Sequence, residues 1–289
     1  MARGAPLPLR LLFWIGGILL PDAIGGFIAR RMFRPRRRAT EMSALLASVR
    51  QRCLRSGQEQ VPYWLWSRPG ARSTALLVHG WEGSADDLTE FVPALSRQGF
   101  NVVAFDAPAH ARASGTTTDV RQMAEAVAAV IAEMAALELP VRAVVAHSLG
   151  AAAVTIALAD GRACIDRLVM LAPAGEIALE VEKIRAALWL PAAALRALIA
   201  RVEQRYGQPL QACSTAATAK RLPMPVLVIH DRDDPLTPLA SAQALAAAIP
   251  RARLTITQGL GHRRILGDPA VLAQVAVFCA EVREKRLCA

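Results

Sequence analysis

From Val61 onward, short runs of β-branched and aliphatic residues alternate with alanine-rich stretches of helical length. The apolar runs fall at Ala75–His79, Asn101–Asp106, Arg142–His147, Asp166–Leu171, Pro225–Asp231 and Arg253–Thr257, and helical patterns such as Asp119–Leu137 and Pro238–Ile249 lie between them. Strands that are apolar almost throughout, separated by helices, predict a parallel sheet covered on both faces. Val61–Ser67 is followed by the turn Arg68-Pro69-Gly70 and no helix, which predicts an antiparallel strand opening the sheet. The rhythm breaks between Pro173 and Leu222, where there is length for roughly two helices and no strand pattern. Ligands of open parallel sheets bind at the carboxyl ends of the strands, so an insertion there predicts a small helical cap over 173–222. The expected fold class is α/β, a mostly parallel central sheet with helices on both faces.

The first 60 residues do not share this rhythm and read as an extension to a domain over 61–289. The chain's net charge of +10 suggests nucleic acid until it is located. Residues 1–55 hold eleven arginines against Asp22 and Glu41, and so carry +9, which leaves the remaining 234 residues at +1. A near-neutral main domain, and arginines with no aromatic interleaving, argue against a nucleic-acid partner. Residues 11–29 are apolar apart from Asp22, with Arg10 before them and the Arg30–Arg38 cluster after. That length borders on what spans a bilayer. Pro21-Asp22 and four glycines oppose a span, since a central aspartate costs about 3 kcal/mol on insertion. The alternatives are a helix packed on the main domain, or membrane-surface contact through residues 11–38. If the run spans, the arginines keep the domain in the cytoplasm; the expected location is cytoplasmic, free or attached to the inner face of the membrane. The five cysteines form no metal-site spacing and read as reduced thiols.

Four segments carry candidate chemistry. Ala146-His147-Ser148-Leu149-Gly150 joins an apolar strand to the helical pattern Ala151–Ala159. A serine between small residues at −2 and +2, at such a junction, can occupy a turn so tight that its hydroxyl is pushed outward. His79-Gly80-Trp81 closes the strand Ala75–Val78, and the main-chain N–H groups of Trp81 and Leu149 are the expected oxyanion donors. The acidic turn His230-Asp231-Arg232-Asp233-Asp234 follows another strand. Asp234, at its outer tip, is the preferred partner for a histidine, while Asp231 and Asp233 remain alternatives suited to capping the loop. Gly259-Leu260-Gly261-His262 follows the last strand, where the glycines free the loop to turn an imidazole inward. His147 and the indoles of Trp81 and Trp189 are candidate substrate contacts, Trp189 because it lies with Leu188 and Leu190 in an apolar part of the cap.

Together these residues resemble the α/β-hydrolase superfamily over about 61–286. Ser148, Asp234 and His262 follow separate strands in the order in which that fold carries its catalytic triad. The set HGWEGS, FDAPAH, AHSLGAAA, IHDRDD and LGHRRIL, with a basic F-x-x-P-R-R stretch at Phe33–Arg37, is similar to one bacterial subgroup of it. The family often has D-x-P-G-H-G-x-S after its central strand, and here Ala109 and Ala111 stand where those glycines occur.

The resemblance implies a serine hydrolase acting on a small-molecule acyl substrate, without a cofactor or metal. Carboxylic esters are the leading expectation. Thioesterase, amidase, peptidase and acyl-transfer activities use the same groups, and a non-catalytic scaffold is the alternative of a different class. Nothing in the sequence bears on oligomeric state.

Overall fold

The computed structural model describes residues 5–37 and 42–281, so Arg3, Arg38, Glu41 and Cys288 lie outside the described residues. Its α-helices are α1 Leu7–Leu19, α2 Pro21–Met32, α3 Ala44–Ala47, α4 Phe91–Arg97, α5 Val120–Ala136, α6 Leu149–Ala159, α7 Ile177–Leu188, α8 Ala192–Tyr206, α9 Thr215–Ala219, α10 Leu239–Ala248, α11 Gly261–Arg264 and α12 Pro269–Ala280. The strands are β1 Gln51–Ser56, β2 Glu59–Trp66, β3 Thr74–Val78, β4 Asn101–Phe105, β5 Val141–His147, β6 Arg167–Leu171, β7 Val226–Asp231 and β8 Ala252–Thr257. The chain divides into two compact units, one of residues 1–34 with 175–215, the other of 35–174 with 216–289.

The larger unit is built on one eight-stranded sheet in the order β1-β2-β4-β3-β5-β6-β7-β8. Strands β3 to β8 run parallel, while β2 is antiparallel to both β1 and β4. The central strands are apolar on both faces because each face is covered. Leu76, Val78, Val144 and Ala146 pack with Met123, Val127 and Val130 of α5 and Val154 of α6. Their alternates Ala75, Leu77, Ala143 and Val145 pack with Phe91 and Leu95 of α4 and Val275 and Phe278 of α12. Strand β1 was not expected. Its residues, QRCLRS, are mostly exposed and hydrogen-bond only to β2, so it lacks the apolar signature of a covered strand.

The smaller unit is helical. The apolar run expected to be a candidate span is cut at Pro21, where α1 gives way to α2. Among the described residues no helix is long and apolar enough to cross a membrane. Two glycines of the run have a packing reason. A Cβ at Gly25 would lie 2.6 Å from the Leu198 nitrogen, and one at Gly17 would lie 2.7 Å from the Pro191 ring. Glycine thus lets α1 and α2 approach α8 and the turn before it at backbone distance. Phe33 closes this bundle, its ring 5.9 Å from that of Tyr206. Cys53, Cys213 and Cys279 are free, but Cys164 is disulfide-bonded, so reduced thiols do not describe it.

Candidate active site

Ser148 occupies the one-residue junction between β5 and α6, with φ 51° and ψ −122°. A side chain held at such a φ costs on the order of 1–3 kcal/mol, so its surroundings must impose it. They do so by close approach. The Ser148 N–H donates to the Leu171 carbonyl at 3.0 Å, extending the β5–β6 ladder by one residue. A Cβ at Gly150 would stand 2.5 Å from the His79 carbonyl oxygen, and one at Gly80 would stand 2.8 Å from the Ser148 Cβ. Ala146 is fully buried, in register with Val78 and Met170. The small residues around Ser148 are therefore required by sterics.

His262, on α11 beyond β8, is buried and reaches both neighbours. Its Nε2 lies 3.1 Å from Ser148 Oγ and its Nδ1 lies 2.7 Å from Asp234 Oδ2. A carboxylate can only accept, so Nδ1 carries the proton and Nε2 presents its lone pair to the serine hydroxyl. Asp234 also accepts from the Leu236 N–H at 2.8 Å, the Thr237 N–H at 3.0 Å and the Thr237 hydroxyl at 2.8 Å. Burial opposes its ionisation, but the bonds from His262, Thr237 and Leu236 outweigh it and hold the carboxyl well below the usual carboxylate range.

The other two aspartates of the turn hold the histidine loop. Asp231 accepts from the Thr257 hydroxyl at 2.7 Å and the Leu260 N–H at 3.0 Å, and Asp233 accepts from the Gly259 N–H at 3.0 Å. Gly259 and Gly261 both adopt positive φ, 81° and 64°, which is how the chain turns back toward the serine. Three acids in four residues thus divide into one that meets the imidazole and two that fix its loop.

The turn after β3 brings Trp81 past the serine. Among the described residues, the main-chain N–H groups of Trp81 and Leu149 donate to no protein acceptor. His79 braces this turn. Its Nδ1–H donates to the Gly80 carbonyl at 2.7 Å, and its Nε2 accepts the Ala107 N–H at 2.9 Å. Asp106, fully buried, accepts from the Ala85 N–H at 2.8 Å and from Arg112. The indole of Trp81 stands edge-on to His110, centroids 5.1 Å apart. Burial, with His79 nearby, pushes the His110 imidazole down to about 3.

His147 and Trp189, expected at the substrate, have other partners. The buried His147 donates its Nε2–H to the main-chain carbonyl of His262 at 3.0 Å. Burial and the adjacent His262 push its pKa down to about 3, so it is neutral at physiological pH. Trp189 belongs to the smaller unit, where it ends α7 in a left-handed conformation under the guanidinium of Arg10, 4.9 Å from the ring centroid. Sequence reasoning missed the bond of His147 to His262, the bracing by His79, and the use of the arginines near Arg37. Arg36 pairs with Glu82, the residue after Trp81, and Arg37 donates to the carbonyls of Ala113 and Gly115 at 2.7 and 2.6 Å. The basic stretch gave a charge signal, but the acceptors of Arg37 are carbonyls with no signature of their own. Among the described residues no cluster of three or more His, Cys, Asp or Glu is placed to hold a metal ion.

Residues 75–275 match the alpha/beta hydrolase family. Over 60 residues the chain is 40% identical to RutD of Pseudomonas savastanoi pv. phaseolicola, a protein named for carbamate hydrolysis. That match spans 21% of this chain and only 23% of the relative's length. Among solved structures, the Pyrococcus furiosus esterase Pf2001 superposes with a TM-score of 0.65 at 20% identity, over 85% of this chain and 97% of its own. Est1E from Butyrivibrio proteoclasticus, solved with ferulic acid bound, does so with a TM-score of 0.62 at 17% identity, over 80% and 96%. At such identities these two likenesses bear on the fold.

Proposed function

Because the chain belongs to the alpha/beta hydrolase family, we propose that it is a serine hydrolase that cleaves carboxylic esters through an acyl-enzyme on Ser148. The observation that carries this reading is the unbroken line of hydrogen bonds from Ser148 Oγ through His262 to Asp234, at 3.1 and 2.7 Å. His262 Nε2 takes the Ser148 proton as Oγ attacks the substrate carbonyl carbon. Asp234 keeps the other ring proton on Nδ1 and stabilises the imidazolium. The negative oxygen of the tetrahedral intermediate is received by the free N–H groups of Trp81 and Leu149, each such donor contributing about 3 kcal/mol. The imidazolium then protonates the departing alkoxide. A water activated by the same imidazole releases the acid and restores Ser148.

Carbamates belong in the substrate panel because of the 60-residue likeness to RutD. A carbamate presents the same carbonyl to the same groups. Thioesters and amides do as well, so the leaving group is the open variable. In this reading the half-buried Trp81 indole contacts substrate.

Labelling with a fluorophosphonate probe, followed by turnover of p-nitrophenyl esters from acetate to long acyl chains, tests the proposal. Wild type should label and hydrolyse, and Ser148→Ala should do neither. A Ser148→Ala protein that hydrolyses at the wild-type rate refutes the assignment. A wild type that folds but does not label points to the non-catalytic scaffold.

A further inference from the structure

Helices α1 and α2 form a hairpin in which the rings of Phe13 and Phe27 lie 6.3 Å apart and Gly16 meets Ile24. That pairing puts the bend at Leu20 at one end, and Arg10, Arg30 and Arg31 at the other. The inner residues Gly17, Gly25, Ile28 and Ala29 are buried. The outer side is not. Leu7, Leu11, Trp14, Ile15 and Ile18 are exposed along one stripe of α1 at helical spacing, with Leu12 and Leu19 beside it. Leu12 is 63% exposed and Leu19 is 70% exposed, where ordinary packing would have covered them. A continuous apolar face of this kind marks an interaction site.

Its occupant follows from length and charge. With thirteen residues, α1 is about 20 Å long, well short of the ~30 Å hydrocarbon core of a bilayer. It can lie in a membrane interface and cannot span. The exposed face of α2 runs from Ala23 and Phe27 to Arg30 and Arg34, with Arg31 beside them. Over residues 5–34 and 175–215 there are nine Lys and Arg against five Asp and Glu. A second copy on this face would bring like charges together, whereas an anionic bilayer offers acyl chains beside phosphates. Trp14 has the amphipathic ring suited to the headgroup level. Asp22, exposed at the first turn of α2, opposes deep insertion and fits a shallow one. Arg37 takes no part, its guanidinium being bonded to the Ala113 and Gly115 carbonyls.

We propose that the α1–α2 hairpin docks this protein on an anionic lipid surface. Helix α1 lies along the headgroup–acyl boundary, and Arg30 and Arg34 meet lipid phosphates. The site is separate from Ser148, and the test reads binding without requiring turnover.

Flotation of the full chain with vesicles of phosphatidylcholine, with and without phosphatidylglycerol, is the experiment. Wild type should float with the anionic vesicles, stay behind with the neutral ones, and be released as salt rises. The variant L12Q/I15Q/L19Q should bind at least about tenfold more weakly. The variant R30Q/R34Q should bind about twenty-five-fold more weakly, from roughly fivefold per arginine near an anionic surface. Because all five positions are exposed, both variants should melt with the wild type and, without vesicles, turn over esters as it does. Absence of wild-type flotation overturns the proposal, and so does undiminished flotation of either variant. A dimer seen by light scattering that L12Q/I15Q/L19Q abolishes, without any flotation, gives the face to a second copy and overturns it as well.

Discussion

The imidazole of His147 donates to the main-chain carbonyl of His262 at 3.0 Å, so the residue before the serine holds the residue hydrogen-bonded to the serine. The rings lie 4.8 Å apart and His147 is buried, so the bond is shielded from solvent. Removing the donor leaves a buried carbonyl unsatisfied, at about 1–3 kcal/mol. Under the proposed mechanism, His147→Ala should lower kcat about tenfold or more and leave KM nearly unchanged. His147→Asn, which keeps a donor, should recover part of the loss. Steady-state kinetics on p-nitrophenyl acetate separate these outcomes, and equal loss in both variants would mean that the bond does not position His262.

The same histidine makes stability depend on pH. His110 and His147 are both pushed down to about 3 in the folded chain, against about 6.5 when unfolded. Between these values the unfolded state binds more protons, so stability falls as the medium is acidified. The contribution is complete above about pH 6.5 and is lost progressively below it, at up to about 1.4 kcal/mol per pH unit for each histidine. Urea midpoints at pH 7 and pH 5 should show this fall, and His147→Asn should reduce its slope. An identical slope in the variant would remove His147 as a source.

Asp234 acts lower on the scale. Its carboxyl is held well below the usual carboxylate range, so its contribution is present above the unfolded value of about 3.9 and is lost as pH falls toward the folded one. Asp234→Asn should flatten the stability curve below about pH 4. By removing the partner that fixes the His262 tautomer, it should also lower kcat by about 10⁴. Stability curves from pH 2 to 7, paired with turnover at neutral pH, check both.

Gly150 tests the steric account of the serine turn. An added Cβ would meet the carbonyl oxygens of His79 and Val78 at 2.5 and 2.7 Å, both of them backbone atoms at the end of β3. Gly150→Ala should therefore destabilise the chain by about 1–3 kcal/mol and, under the proposed mechanism, abolish labelling of Ser148 by displacing the turn that carries Trp81. Thermal melting and fluorophosphonate labelling report the two effects separately.

Ala109 and Ala111 make an opposite prediction. The loop keeps the left-handed geometry that glycine usually provides there, with φ 64° at Ala109 and 36° at Ala111. Alanine in that region costs roughly 1–2 kcal/mol, partly offset by the greater freedom of glycine when unfolded. Ala109→Gly or Ala111→Gly should raise stability by about 0.5–1 kcal/mol, read as a small upward shift in Tm. A fall in Tm would show that the strain is absent.

Six of the eight strands, the antiparallel strand before them and the order of Ser148, Asp234 and His262 were readable along the chain. Each is written locally, in the period of apolar positions or in small residues at a turn. The tertiary structure alone decided what depends on a partner far away in sequence. Strand β1 has no apolar signature, since it is an edge strand whose only ladder partner is β2 and whose side chains are mostly exposed. Gly17 and Gly25 look like flaws in a membrane span until α8 and the turn before it lie against them. Asp234 is preferred in the sequence over Asp231 and Asp233 for its place at the tip of the turn, but what each of the three bonds to is decided by geometry. All three can accept hydrogen bonds, and what separates them is which one meets His262 and which two meet its loop. Local pattern determines which backbone forms. Which surfaces and side chains then meet is a matter of complementarity between distant segments, as with His147 and His262, 115 residues apart.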